Sequence, residues 1–212
     1  MHRLGILLSG RGSNFLAIAE AIRLHRLHAT EIACVLSDRP DAPGLASARD
    51  LNLPAFALPS KGRAPEARAA HDAELIARLH QHKVDLVCLA GYMRIVTPAF
   101  VAAFPNRIIN IHPSLLPAFP GLDAQQQALT FGVHVAGCTV HFVDEHVDHG
   151  VIILQRPVPI HEDDNPATLS ARILEQEHLA YPEAIARVLS GQFQIAGRRY
   201  LRHSNPIAAS KD

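Results

Sequence analysis

The stretch LGILLSGRGSNF, Leu4 to Phe15, decides the fold. Leu4 to Leu8 is a short continuous apolar run, the pattern of a strand covered on both faces. Ser9 to Asn14 is a turn built on Gly10 and Gly12. From Phe15 to Leu27, apolar residues at Phe15, Ile18, Ala19, Ile22 and Leu27 recur close to helical spacing. Strand, turn and helix in that order open a βα unit.

The alternation continues outward from it. Glu31 to Ser37 reads as a second strand, Gly44 to Leu51 as a short helix and Pro54 to Leu58 as a third strand. Pro65 to Lys83 is helical, with Ala70, Leu75, Ile76 and Leu79 on one face. Asp85 to Tyr92 and Arg107 to His112 are further strands, and between them Thr97-Pro98 reads as an N-cap with proline at the first helical position. Strands alternating with helices imply a parallel sheet with right-handed crossovers. Such sheets bind ligands outside the carboxyl ends of their strands. Three segments meet that rule: Ser9 to Asn14, Gly91 to Val96 and Asn110 to Pro120.

After Pro120 the texture changes. Asp123 to Thr130 reads as a helix. Gly137 to Val143 and Val151 to Val158 read as neighbouring strands joined by the acidic, histidine-rich DEHVDHG. Asp164 to Leu189 is a long helix that Pro182 is expected to kink or divide. Gln192 to Gly197 and Arg198 to Leu201 pattern as a hairpin, and residues from about 201 to 212 as a loose tail. The expectation is one domain over residues 1–200, with no repeat or low-complexity linker.

Composition sets the outer bounds. The 212 residues are 48% hydrophobic and 19% charged, so the chain is neither disordered nor fibrous. Lys+Arg 20 balances Asp+Glu 20, leaving no basic excess for nucleic acid. Cys34, Cys88 and Cys138 lie far apart in apolar runs, which fits buried thiols better than disulfides or a zinc site. The N-terminal apolar stretch is too short for a signal peptide, and no run approaches the roughly 20 residues that span a bilayer. A cytoplasmic protein without a membrane partner is expected.

Four segments have chemical potential. The Ser9–Asn14 loop resembles a dinucleotide fingerprint, but Phe15 stands where the third glycine belongs, and no Walker lysine follows. Ser13 and Asn14 would instead meet a terminal monophosphate at the helix N-terminus; a plain turn with one of them as N-cap is the alternative. Asn110 and His112, two apart on a strand, point to the same side and suit carbonyl polarisation and proton transfer. A hydrogen-bonded histidine at a strand end is the alternative there. The proline-rich loop after them would form a rigid wall.

In Asp144 to Gly150 the EF-hand pattern fails, because His149 stands at the sixth position and Gln155 at the twelfth. A zinc site from His141, His146 and His149 has no fixed geometry. Asp148, beside Gly150, is the carboxylate best placed to reach His112, unless the loop is simply solvated. Met93, Ile95 and Val96 would line an apolar slot for a flat ring, or else pack as ordinary core.

SGRGSNF, AGYMRIV, NIHPSLLPAFPG, GCTVHFVDEHVDHG and QEHLAYP occur in this order. Together they resemble the phosphoribosylglycinamide formyltransferases, from Arg3 to about Arg199. The resemblance implies a Rossmann-like α/β formyltransferase fold, with a mostly parallel twisted sheet of seven strands flanked by helices. Residues 1–112 would form a nucleotide-binding half and residues 113–200 most of the folate pocket. The implied reaction moves the formyl group of 10-formyltetrahydrofolate, the co-substrate, to the amine of glycinamide ribonucleotide in purine biosynthesis, with no metal. Gly12, Ser13 and Asn14 would hold the ribonucleotide phosphate, and Glu177 its ribose hydroxyls. Met93, Arg94, Ile95 and Val96, with Asp144, Glu145, His146, Val147 and Asp148, would border the pterin and formyl group, and Arg68 matches the family arginine. Asn110, His112 and Asp148 match the catalytic trio.

Four departures stand out. Arg11 sits in the phosphate loop, His149-Gly150-Val151 replaces a Gly-Gly-Pro, Leu122-Asp123-Ala124 replaces a histidine-bearing segment, and Leu174 is apolar at a position sometimes polar. A 10-formyltetrahydrofolate deformylase-like hydrolase is the main alternative, and a non-catalytic Rossmann module a weaker one. The extra domains of deformylases and of methionyl-tRNA formyltransferases are not expected here. A monomer or homodimer is expected. Asp148 should stabilise the His112 imidazolium and burial should oppose it; the charge is expected to prevail and raise the His112 pKa.

Overall fold

The structure, a computed structural model, describes residues 1–60, 62 and 64–203. Its elements run β1 (His2–Leu8), α1 (Ser13–Arg23), β2 (Thr30–Ser37), α2 (Pro43–Asp50), β3 (Ala55–Ala57), α3 (Pro65–Gln81), β4 (Leu86–Leu89), α4 (Pro98–Ala103) and β5 (Ile108–His112). They continue with α5 (Ala124–Phe131), β6 (Val135–Phe142), β7 (Ile152–Pro159), α6 (Pro166–Leu189), β8 (Phe193–Ala196) and β9 (Arg199–Arg202).

All nine strands join one sheet in the order β3-β2-β1-β4-β5-β6-β7-β9-β8. The first five are mutually parallel, as the alternation predicts. β6 then runs antiparallel between β5 and β7. The count exceeds the expected seven because the C-terminal hairpin β8–β9 docks on β7 through an Ile152–Arg199 pairing. Leu201 and Arg202 thus belong to a strand, not to a loose tail; residues 204–212 lie outside the described residues.

β1 sits between β2 and β4, so both of its faces are covered. Leu4, Ile6 and Leu8 join the core cluster with α1 and α6, while Leu7 faces the cluster with Leu75 and Leu79 of α3. That two-sided burial is why LGILL is apolar without alternation. The three cysteines are buried and unpaired, and burial pushes the Cys34 and Cys138 thiols up to about 12. No helix among the described residues is long and apolar enough to cross a membrane.

α6 clamps the middle of the sheet. Asn165 caps it, its side chain accepting from the N–H groups of Ala167 and Thr168, with Thr168 returning a bond to the Asn165 N–H. The helix continues through Pro182, contrary to the expected division. Proline forfeits one backbone bond at a cost of about 3 kcal/mol or more. Its neighbours Tyr181, Ala184 and Ile185 are fully buried against the sheet, and that packing holds the helix together. The Tyr181 hydroxyl lies 3.0 Å from the Leu89 carbonyl and 3.1 Å from that of Ile109, so it ties the end of β4 to the first part of β5 beside it.

Tyr181→Phe removes this donor and leaves two buried carbonyls short of a partner. It should destabilise the protein by about 1–2 kcal/mol. A thermal melt should shift down by roughly 2–8 °C at two to four degrees per kcal/mol. An unchanged melting temperature would mean the hydroxyl carries no load.

Candidate active site at the carboxyl ends of β4 and β5

A cavity of about 500 Å³ opens where β4 and β5 end. Its walls are the segment after β4 (Gly91 to Val96), the end of β5 (Asn110 to Pro113) and the β6–β7 connection (Asp144 to Asp148). Two of the three segments singled out by the strand-end rule therefore meet here, and the acidic loop completes them.

β5 presents Asn110 and His112 together, as the two-residue spacing requires. Antiparallel pairing sets His141 directly across from Asn110. Asn110 Nδ2 lies 3.3 Å from His141 Nε2, and His141 Nδ1 lies 2.7 Å from the Phe142 carbonyl. A carbonyl only accepts, so His141 carries its proton on Nδ1 and its Nε2 accepts from Asn110. This fixes the Asn110 amide with its nitrogen toward His141 and its second N–H without a partner among the described residues. Sequence reading had considered His141 only as a metal ligand. Its signal was one titratable residue inside an otherwise apolar strand.

Asp148 reaches this pair from the β6–β7 connection. Its backbone is left-handed, with φ +51°. Gly150 presses so closely on β6 that an added Cβ would stand 1.7 Å from the Phe142 carbonyl oxygen. Asp148 Oδ2 accepts from the Gly121 N–H at 2.8 Å and lies 3.3 Å from His112 Nδ1. Oδ1 is 3.7 Å from His141 Nε2, beyond hydrogen-bond reach. The expected approach of Asp148 to His112 is therefore present. Burial raises the Asp148 carboxyl, but the His141 and His112 rings and the Gly121 N–H outweigh it and hold it below its ordinary value.

His112 departs from expectation. Burial is the largest influence on it and lowers its pKa, against the Phe119 carbonyl and Asp148, which pull it up, and His141, which adds to the lowering. His112 Nε2 sits 2.9 Å from the Phe119 carbonyl and must donate to it. In the neutral ring, Nδ1 then turns a bare lone pair toward the Asp148 carboxylate. Only the imidazolium satisfies both contacts. Burial biases the ring toward its neutral form, with an acceptor in place for the proton it would gain.

The apolar wall is partly as expected. Met93 and Ile95 are 61% and 58% exposed at the cavity, whereas Val96 is buried. Arg94 lines the cavity and also donates to the Gly62 carbonyl at 3.3 Å. Arg68 does not line it; from α3 it donates to the Ile95 carbonyl at 3.3 Å and braces the wall from behind. Further braces went unnoticed in the sequence. Ser9 accepts from the Met93 N–H at 2.9 Å and donates to Asp38 at 2.6 Å. Tyr92 OH meets His71 Nε2 at 2.9 Å, and Asp72 accepts from the Thr97 N–H at 2.6 Å. His71 and Asp72 are buried polar residues on the inner face of α3, the one sign that could have flagged them.

On the opposite wall, Glu145, His146 and Val147 are exposed and Asp144 half-buried. The His141, His146, His149 triad does not form: His141 is buried beside Asp148, and His146 and His149 gather around Asp144 instead. Leu122, of the departing segment, is exposed at the mouth.

The β1–α1 turn forms a separate corner. α1 begins at Ser13 with Gly12, φ +74°, as N-cap, so neither Ser13 nor Asn14 caps it. A Cβ at Gly12 would lie 3.0 Å from Gly44 Cα, so glycine is required there. Arg11 is exposed. The first N–H groups of α1 have no partner within the helix. Asn14 Nδ2 is not free for a ligand: it donates to Glu177 Oε2 on α6 at 2.7 Å. Asn14 Oδ1 is buried without a partner among the described residues. Burial raises the Glu177 carboxyl and the Asn14 amide lowers it, with burial prevailing. The sequence had these two residues near one ligand but not bonded to each other.

Residues 2–185 match the family model described as Formyl transferase. The chain is 42% identical to the phosphoribosylglycinamide formyltransferase of Bacillus subtilis over 89% of its own length and 95% of that protein. A solved structure of glycinamide ribonucleotide transformylase 1 from Symbiobacterium toebii superimposes with a TM-score of 0.91 at 52% identity, covering 96% of this chain and 95% of that one. The trifunctional purine biosynthetic protein adenosine-3 of Drosophila melanogaster is 44% identical over 92% of the chain, which spans only 14% of that longer protein.

Asp148→Asn keeps an acceptor for the Gly121 N–H but removes the charge facing His112. The His112 pKa, already below its ordinary value, should fall further in an NMR titration of the labelled imidazole. An unchanged titration would uncouple the two side chains.

Proposed function

Since the chain belongs to the formyl transferase family, we propose that it transfers a formyl group from 10-formyltetrahydrofolate to the primary amine of glycinamide ribonucleotide. The observation that carries this reading is the grouping of Asn110, His112, His141 and Asp148 at one end of a cavity with an apolar wall. The pterin takes the slot between Met93–Val96 and Asp144–Val147. The ribonucleotide takes the α1 corner, its phosphate on the N–H groups after Gly12 and its ribose on Glu177. The cavity draws on both halves of the chain, so the division into a nucleotide half and a folate half is one of emphasis.

A formamide carbon is electrophilic once its oxygen is polarised. The amine nitrogen attacks it and an oxyanion develops, which the free N–H of Asn110 stabilises. Because His141 holds the other N–H, the amide does not have to reorganise as the charge appears. The tetrahedral centre collapses by breaking the carbon bond to tetrahydrofolate N10. In the same sequence one proton passes from the new ammonium to that nitrogen. Neutral His112 is the carrier: it accepts the proton at Nδ1, and Asp148 and the Phe119 carbonyl then satisfy both N–H groups of the imidazolium. This reverses the order expected from the sequence, in which His112 waits already protonated.

Incubation of the protein with 10-formyltetrahydrofolate, with and without glycinamide ribonucleotide, tests the reading. Loss of the donor should depend on the amine; formate release without it would support a hydrolase. Asp148→Asn should cut turnover by about 10²- to 10⁴-fold, the scale of general acid–base catalysis, with small changes in either KM. Turnover should also fall as acid protonates His112, at a pH below the ordinary histidine value of about 6.5. Glu177→Gln should raise KM for the ribonucleotide by roughly 10- to 150-fold, the worth of a hydrogen bond to a charged group, and spare that for folate. An equal rise for both substrates would place Glu177 elsewhere.

A further inference from the structure

We propose that Asp144, His146 and His149 form a binding site for a divalent transition metal of the zinc type at the cavity rim. One carboxylate oxygen and two imidazole nitrogens lie within 4.8 Å of one another there. All three come from the single turn that joins β6 to β7. The carboxylate is already oriented: Asp144 Oδ1 accepts from the His146 N–H at 2.9 Å, and Oδ2 pairs with His149 Nδ1 at 2.8 Å. The two imidazole rings are neighbours, 5.2 Å between centroids and tilted at 45° to one another.

A tetrahedral ion with bonds of about 2.1 Å holds its ligands roughly 3.4 Å apart. Asp144 and His149 are already closer than that, and the remaining gap closes by side-chain rotation. Such rotation is open to them, since the His149 side chain is 53% exposed and His146 is exposed too. Two nitrogens and one oxygen suit zinc, nickel or cobalt; magnesium and calcium prefer oxygen-only shells. The ion would replace the proton shared by Asp144 and His149 and keep water in its fourth position.

Arg198 supplies an independent handle. Its Nη1 lies 3.0 Å from His149 Nε2, and Nη2 donates to the His149 carbonyl. A guanidinium beside the ring opposes an incoming cation, so metal and Arg198 compete for His149. The site leaves Asn110, His112, His141 and Asp148 untouched. Asp144 and His146 also border the slot assigned to the pterin, so a bound ion would sit at the rim of that slot and not at the reacting atoms, and the metal titration reads it whether or not the formyl-transfer reading holds.

Tag-free full-length protein titrated with Zn²⁺ in a calorimeter should bind one equivalent, and Co²⁺ should give the visible absorption of a tetrahedral site. His146→Gln and His149→Gln should each weaken binding by at least about tenfold. Arg198→Ala should tighten it. No heat and no cobalt absorption at millimolar metal would overturn the proposal. So would one-equivalent binding that both glutamine variants leave unchanged, or weaker binding in Arg198→Ala. All three positions are exposed or half-exposed in loops, and a circular dichroism spectrum checks that each variant is folded.

Discussion

Asp148 is a carboxylate taken out of water, with a side chain only 10% exposed, and the rest of the site is arranged around keeping it ionised there. Burial of an unpartnered carboxylate costs several kcal/mol, and it would protonate instead. The Gly121 N–H donates to it, and positive charge on the His112 or His141 ring adds to that hold. Its left-handed backbone costs about 1–2 kcal/mol for a residue with a Cβ. The turn is held in that shape from below, where Gly150 lies against the Phe142 carbonyl and β6 pairs with β7.

The proline-rich loop is the second party to this arrangement. Gly121 donates to Asp148, and two residues earlier Phe119 accepts from His112. One loop thus holds the carboxylate and the imidazole in a single frame. Its anchor is Thr139, which donates to the Ser114 carbonyl at 2.7 Å and accepts from the Leu116 N–H at 3.0 Å. Thr139 pairs with His112 across the antiparallel β5–β6 ladder. The insertion of β6 against the direction of its neighbours therefore supplies both His141 and the support for the loop.

The parallel half of the fold was legible because its strands are buried on both faces and read as unbroken apolar runs. LGILL and LVCL could be nothing else at that length. The hairpin β8–β9 carries only half-buried and exposed residues, alternating in β8 alone, and signals less, so its docking on β7 is not legible in the sequence. Pro182 does not divide α6 because proline propensity is local, whereas the burial of Tyr181 and Ile185 that overrides it depends on the sheet. Asn110, His112 and Asp148 were legible as residue types at strand and turn ends. What sequence does not encode locally is which partner each side chain takes. The Asn14–Glu177 bond joins residues 163 positions apart. The His112 pKa turns on the balance between burial and charge, and spacing gives no measure of burial.

The proposed formyl transfer requires the apolar slot and the Asn110–His112–Asp148 grouping to form one reaction chamber. A crystal structure with an unreactive folate analogue and glycinamide ribonucleotide bound tests it most directly. The pterin ring should lie between Met93–Val96 and the Asp144–Val147 turn, with N10 facing Asn110 and His112. The phosphate should sit on the α1 N-terminus, with the amine directed toward N10. A pterin bound outside the slot, or an N10 atom remote from Asn110 and His112 with both ligands in place, would contradict it.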